Sequence, residues 1–250
     1  MPNWVENTLT IRKEDKGFVI NEKGEVDFNL ILPMPETMID TISPVYKDAI
    51  YCYLSDKGTK ELTADILKEY GIDSGTIKEY KKDINRDKFY SNFRDDWSKP
   101  FPELTKEQYI DEKYELGRRY VFNKENYGVY DWYDWSYKNW GVKWNASDTD
   151  TWEDGNYLKI VFQTPWGYPD NWLNALKEKC DFHLAWEEEQ GYRGVIYTQR
   201  EENERNIFSE EMDMLEYKEV ENGFWEEVDD GKYGDCWQEY CLNDVFEKTA

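Results

Sequence analysis

The stretch DWYDWSYKNWGVKWNASD, residues 131–148, sets Trp132, Trp135, Trp140 and Trp144 close together in a chain with 12 tryptophans in all. Tyr130, Tyr133, Tyr137 and Trp140 recur at three, four and three residues, the spacing of a helix, and Gly141 stands where a left-handed cap would end it. Beyond the glycine, Val142, Trp144 and Ala146 alternate with polar residues, which predicts a strand. The stretch therefore reads as helix, tight turn and strand. Large rings spread around the helix predict core packing that pins it to a sheet. The alternative is an aromatic carbohydrate-binding module, for which Trp132 and Trp135 would have to be exposed and coplanar.

Working outward, VENTLTIRK at 5–13 and YLKIVFQT at 157–164 alternate apolar and polar residues and predict strands. Phe182, Leu184 and Trp186 predict another, and 193–199 its hairpin partner after Gln190-Gly191. Trp172, Leu173, Leu176 and Cys180 lie at helical spacing behind Pro169. A turn is expected at Asn21–Gly24, and Pro33 and Pro35 end an apolar run that leaves the sheet. The order is strand, long insertion, helix, strand, strand, helix, strand. It predicts an α+β fold, a ferredoxin-like antiparallel sheet with two helices on one face. The expected domains are a core of 1–38 with 128–200, a mostly helical insertion at 39–127, and an acidic C-terminal extension at 201–250 packed on the core. In the insertion, Leu62, Ile66, Leu67 and Tyr70 form an apolar stripe, and Thr105–Gln108 is a capping-box sequence. Residues 78–99 are expected to be solvated. In the extension, Ser209 ahead of Glu210, Glu211 and Asp213 predicts a helix start.

Charge bounds the function. The chain has 250 residues and a formal charge of −23, and residues 181–250 hold 21 Asp and Glu against 6 Lys and Arg. Mean hydropathy is −0.95, yet 17% aromatic residues supply the core volume that a disordered chain lacks. Such an acidic surface disfavours direct binding to nucleic acid or an anionic membrane. No run approaches 18 apolar residues, and Met1-Pro2-Asn3-Trp4 does not open like a signal peptide, so a cytoplasmic protein is expected. Cys52, Cys180, Cys236 and Cys241 contain no CxxC pair and are expected to be reduced thiols.

Four blocks of sequence resemble the YubB ferredoxin-like domain family, which includes the Api-type proteins of phages. They are Met1-Pro2-Asn3-Trp4 with Glu6-Asn7 and Leu9, Phe28-Asn29 with Pro33-Met34-Pro35, Asn139-Trp140-Gly141 with Lys143-Trp144-Asn145-Ala146, and Phe162-Gln163-Thr164-Pro165-Trp166. Val5 stands where the family has a cysteine. The resemblance spans residues 1–38 and 128–200 and implies the fold and a phage or plasmid context, with no active site to carry over. Trp4, Trp140, Trp144 and Trp166 form its structural aromatic motif.

No cofactor or metal is expected. His183 is the only histidine, and no phosphate loop or nucleophile elbow occurs. The acids Glu187, Glu188, Glu189, Glu201, Glu202, Glu226, Glu227, Asp229 and Asp230 are expected to line one partner-binding face that imitates the phosphates of a nucleic acid. The expected protein is therefore non-enzymatic. Its partner would be a host protein, one that binds nucleic acid for defence. The alternative is a carboxylate-based, metal-dependent enzyme acting on nucleic acid or sugar, with adjacent acids such as Glu201-Glu202, Glu210-Glu211 and Asp95-Asp96 as raw material.

Overall fold

The computed structural model describes residues 3–41, 46–93, 98–201, 204–212, 216–220, 224–228 and 245–246; at 201, 212, 216–220 and 224–228 the backbone alone is described. In chain order the elements are β1 (Trp4–Arg12), α1 (Lys47–Leu54), α2 (Ala64–Glu69), α3 (Ser74–Asp83), β2 (Phe89–Tyr90), β3 (Glu103–Leu104), α4 (Lys106–Tyr127) and α5 (Trp132–Trp140). They continue with β4 (Ser147–Asp154), β5 (Tyr157–Pro165), α6 (Asp170–Leu176), β6 (Phe182–Glu188), β7 (Arg193–Glu201), β8 (Glu204–Met212), β9 (Glu216–Val220) and β10 (Phe224–Val228). The chain divides into two units, Met1–Pro33 with Ser136–Ala250, and Met34–Trp135.

In the first unit six strands form one sheet in the order β4-β5-β1-β6-β7-β8, every pair antiparallel. Among β1, β4, β5 and β6, the first strand lies between the third and fourth. This is the split β-α-β arrangement of a ferredoxin-like fold. Alternation along the strands sends Val5, Leu9 and Ile11 of β1, Leu158, Ile160 and Phe162 of β5, and Phe182 and Leu184 of β6 to one buried face. Phe28 gathers that core, with ring centroids 5.8 Å from Trp140 of α5, 4.8 Å from Trp172 of α6 and 6.2 Å from Phe162. Both helices thus lie on the face of Phe162. The other face is apolar at its centre as well: Ala185, Val195 and Tyr197 are buried with Val245 and Phe246, and Phe246 lies 4.7 Å from Tyr157.

Gly141 ends α5 as its position predicts, with φ +86° and its amide donating to the carbonyls of Ser136 and Tyr137. The strand expected at 142–146 is not formed; β4 begins at Ser147. The segment is engaged by side chains instead. Asn145 donates to Asp27 Oδ1 at 2.7 Å, and its Oδ1 accepts the Phe28 and Ala146 amides at 2.9 and 3.0 Å. The helix expected from Ser209 is also absent, because 204–212 form β8 in register with β7. Ser209 is a good local cap, but Phe208 stacks on Tyr197 at 5.9 Å only in the strand.

In the second unit α4 carries the expected capping box: Thr105 Oγ1 accepts the Gln108 amide and Gln108 Oε1 accepts the Thr105 amide. Residues 78–99 are not simply solvated. They include the end of α3, where Tyr80 is 1% exposed and Asp83 is buried. The buried Lys113 of α4 donates to Asp48 and, at 3.3 Å, to Asp83, so ion pairing admits these charges to the interior. Gly117 lets α4 approach α1, since a Cβ there would lie 2.0 Å from the Ala49 carbonyl oxygen.

Candidate functional site

The β1 N-terminus, the β5 C-terminus and the β6 C-terminus meet at one end of the sheet. Register sets Glu6 of β1 directly opposite Gln163 of β5 and Glu187 of β6, and Glu187 opposite Arg193 of β7. Directly paired residues point to the same face, so Gln163, Glu6, Glu187 and Arg193 form one row across four strands, with two adjacent carboxylates between an amide and a guanidinium. Trp4, Glu6, Gln163, Glu187, Glu188 and Glu189 line an open groove of about 340 Å³ there. Asn3 Nδ2 donates to Glu188 Oε2 at 2.8 Å and fixes one wall. Trp4 meets Trp144 edge to face at 6.0 Å, and the Lys143 ammonium lies 4.9 Å over the Trp144 ring.

Of the residues expected to bind a partner, Glu187, Glu188 and Glu189 are brought together. Glu201 is not. It ends β7, eight residues beyond Arg193 and so roughly 26 Å along the strand toward the opposite end of the sheet. The expectation of one shared face fails for it because a hairpin partner runs away from the end at which its neighbour stops. Glu226 and Glu227 lie in β10, which pairs with β9 in a separate two-stranded sheet, and their side chains lie outside the described residues. Glu202, Asp229, Asp230 and the pair Asp95-Asp96 also lie outside them.

Three acids at this end escape a reading by clusters. Glu6 belongs to β1, far away in sequence, and its polar position in the alternation beside Trp4 was the only signal for it. Glu210 and Glu211 of β8 face Val195 and Gly194, next along β7 from Arg193. In sequence they look like an incidental acidic pair.

The aromatic motif divides. Trp140 is 3% exposed, with Nε1 donating to the Leu32 carbonyl at 2.9 Å, and Trp4 and Trp144 are half-buried. Trp166 departs from a structural role, for it is 54% exposed and held at φ +71°. Such a conformation is strained for a bulky side chain. Its amide donates to the Asn3 carbonyl at 2.8 Å, which ties the strained turn to the strand carrying the groove. Trp135 is buried, so Trp132 and Trp135 do not form an exposed platform.

The nucleophilic groups are enclosed. Cys52 and Cys180 are buried, and burial pushes both thiols up, Cys180 to about 12. His183 is 1% exposed and its ring stacks on Tyr197 at 6.4 Å. Among the described residues no three His, Cys, Asp or Glu side chains are grouped to hold a metal ion, and no helix is long and apolar enough to cross a membrane.

Residues 139–232 match the family model described as a ferredoxin-like domain in Api92-like protein. The match takes in α5 from Asn139 onward and the strands from β4 to β10, including the acids of β6 and β8. It begins after β1 and the second unit, and it runs past residue 200 through β8 of the six-stranded sheet and the β9–β10 pair. A solved structure of protein Api92 from Yersinia pseudotuberculosis is similar over 85% of this chain and 99% of its own, at 14% identity and a TM-score of 0.37. No curated protein matches.

Proposed function

We propose that this is a phage or mobile-element protein, of the YubB kind, that works in the host cytoplasm by binding a host protein through the acidic end of its sheet. The observation that carries the reading is the row of Glu6 and Glu187, directly opposed across β1 and β6 beside Glu188, Glu189 and Trp4. Like charges in a directly opposed pair cost stability unless a cation offsets them; Arg193 stands opposite Glu187 on its other side, so the surplus negative charge of the groove rests on Glu6, Glu188 and Glu189. Carboxylates beside an indole suit the Lys and Arg side chains of a partner, by ion pairing and by cation–π contact. A protein whose surface is built for the phosphates of DNA offers such side chains, and an acidic row imitates those phosphates. Interference with a nucleic-acid-binding defence system is the specific form of the proposal. The enclosure of both described thiols and of His183 supports binding in preference to catalysis.

The test is capture from a host lysate by wild-type protein and by the variant Glu6→Lys/Glu187→Lys/Glu189→Lys. The wild type is expected to retain a DNA-binding protein that salt releases and the variant to lose it. Retention of the same protein by both refutes the acidic end as the contact.

A further inference from the structure

At the opposite end of the same sheet this acidic chain gathers cations. Arg200 of β7 and Arg205 of β8 both reach Asp181, the residue before β6, whose side chain is 7% exposed. Asp181 Oδ2 accepts from Arg200 Nη2 at 2.9 Å, and Oδ1 accepts from Arg205 Nε at 2.8 Å and Arg200 Nε at 3.4 Å. Arg205 Nη1 also donates to the Lys177 carbonyl at 2.6 Å, just beyond α6. A single guanidinium neutralises the carboxylate and ties β8 to the α6–β6 corner. The second adds a positive charge that the carboxylate does not offset.

Arg200 is held along its Nε–Nη2 edge, whereas Arg205 is held at Nε by Asp181 and at Nη1 by the Lys177 carbonyl, so Arg200 Nη1 and Arg205 Nη2 lie outside these bonds. The two arginines border an open, polar cavity of about 530 Å³, with Lys177 beside them and Glu178 and Glu204 on its wall. They also border a second cavity of about 290 Å³ that Arg12 and Lys179 line. Asp15 also lines that second cavity, and burial and the neighbouring Glu14 raise its carboxyl pKa.

We propose that Arg200 and Arg205 form a binding site for a small phosphate-bearing ligand, beside Lys177, whose ammonium lies 3.9 Å from Glu178 Oε1 and can turn to the ligand. Planar guanidinium forks donate two parallel bonds to phosphoryl oxygens, and forks already immobilised by Asp181 lose little freedom on binding. The lining is polar, so recognition rests on the oxyanion. The ligand is small because charges act locally within a Debye length of about 8 Å, whereas a polyanion also meets the field of a chain carrying −23. This site is separate from the acidic end and does not depend on what binds there.

The experiment is a titration of the full chain with inorganic phosphate at an ionic strength of about 0.15 M, where the screening length is about 8 Å, following the arginine Nε–Hε resonances by NMR. Saturable shifts confined to Arg200 and Arg205 are expected, with affinity about tenfold weaker in Arg200→Gln, where Arg205 still holds Asp181. A nucleoside monophosphate should compete at the same resonances, and duplex DNA should not. If Arg200→Gln fails to fold, Lys177→Gln serves in its place, with a severalfold loss expected. Absence of saturable shifts, equal affinity in the folded variant, or tighter binding of duplex DNA than of phosphate would overturn the proposal.

Discussion

Asp27 shows how single side chains hold the helix-covered core together. Its Oδ1 accepts from the Asn29 amide at 3.0 Å, from Asn29 Nδ2 at 2.8 Å and from Asn145 Nδ2 at 2.7 Å. Burial works to raise its pKa, but these hydrogen bonds together hold the carboxyl below the usual range. A carboxyl depressed in the folded state adds stability above its unfolded value, and that stability is lost as pH falls through the folded value. Asp27→Ala should therefore lower the urea midpoint at neutral pH, and the gap to wild type should narrow below about pH 4. Coincident curves at neutral pH would show that the network does not stabilise the fold. Gly141 makes a second point at this scale. It combines φ +86° with a position where a Cβ would lie 1.7 Å from Asp170 Oδ1, so Gly141→Ala should cost about 1–3 kcal/mol in urea unfolding. Gly155 has φ +55° and nothing within 4 Å of an added Cβ, so Gly155→Ala should cost less; equal losses would contradict the steric account. The Gly141 cap was legible in the sequence because its signal is local. The bond between Asp27 and Asn145 was not, because it joins residues 118 apart.

Elements set by their own local sequence are legible in it, and those that depend on a distant partner are not. The capping box at Thr105 and Gln108 and the alternation of β1 and β5 need nothing beyond a few neighbouring residues. β8 needs β7: Ser209-Glu210-Glu211 looks like a helix start until Phe208 finds Tyr197 and every residue from Glu204 to Met212 finds an opposite number. β4 was expected a few residues early because Val142, Trp144 and Ala146 alternate, yet Asn145 is already committed to Asp27 and Phe28. In the second unit the contact of α1 with α4 rests on Gly117. Gly117→Val would drive a side chain into the Ala49 backbone, and a loss of about 2–4 kcal/mol is expected from chemical denaturation, with helix content falling first. A midpoint unchanged within error would mean that the helices separate freely at that position. The acidic site was legible in part for the same reason. Glu187, Glu188 and Glu189 are contiguous in sequence, whereas Glu6 joins them only through the β1–β6 register.

At the scale of the molecule, the net charge of −23 was plain from composition, but its arrangement required the sheet. One end carries Glu6, Glu187, Glu188 and Glu189, while the other carries Arg200 and Arg205 around Asp181. Counting acids along the chain placed Glu201 with Glu187, and strand direction separates them. If the acidic end acts as a decoy for phosphates, the partner cannot hold it and DNA together. The deciding measurement is competition: host protein captured on the immobilised chain is challenged with duplex DNA at fixed ionic strength, and both the released protein and the retained DNA are measured. The account predicts release of the partner in proportion to added duplex, with no DNA kept on the surface. A partner that stays bound while it takes up DNA, or that binds Glu6→Lys/Glu187→Lys/Glu189→Lys equally well, would contradict it.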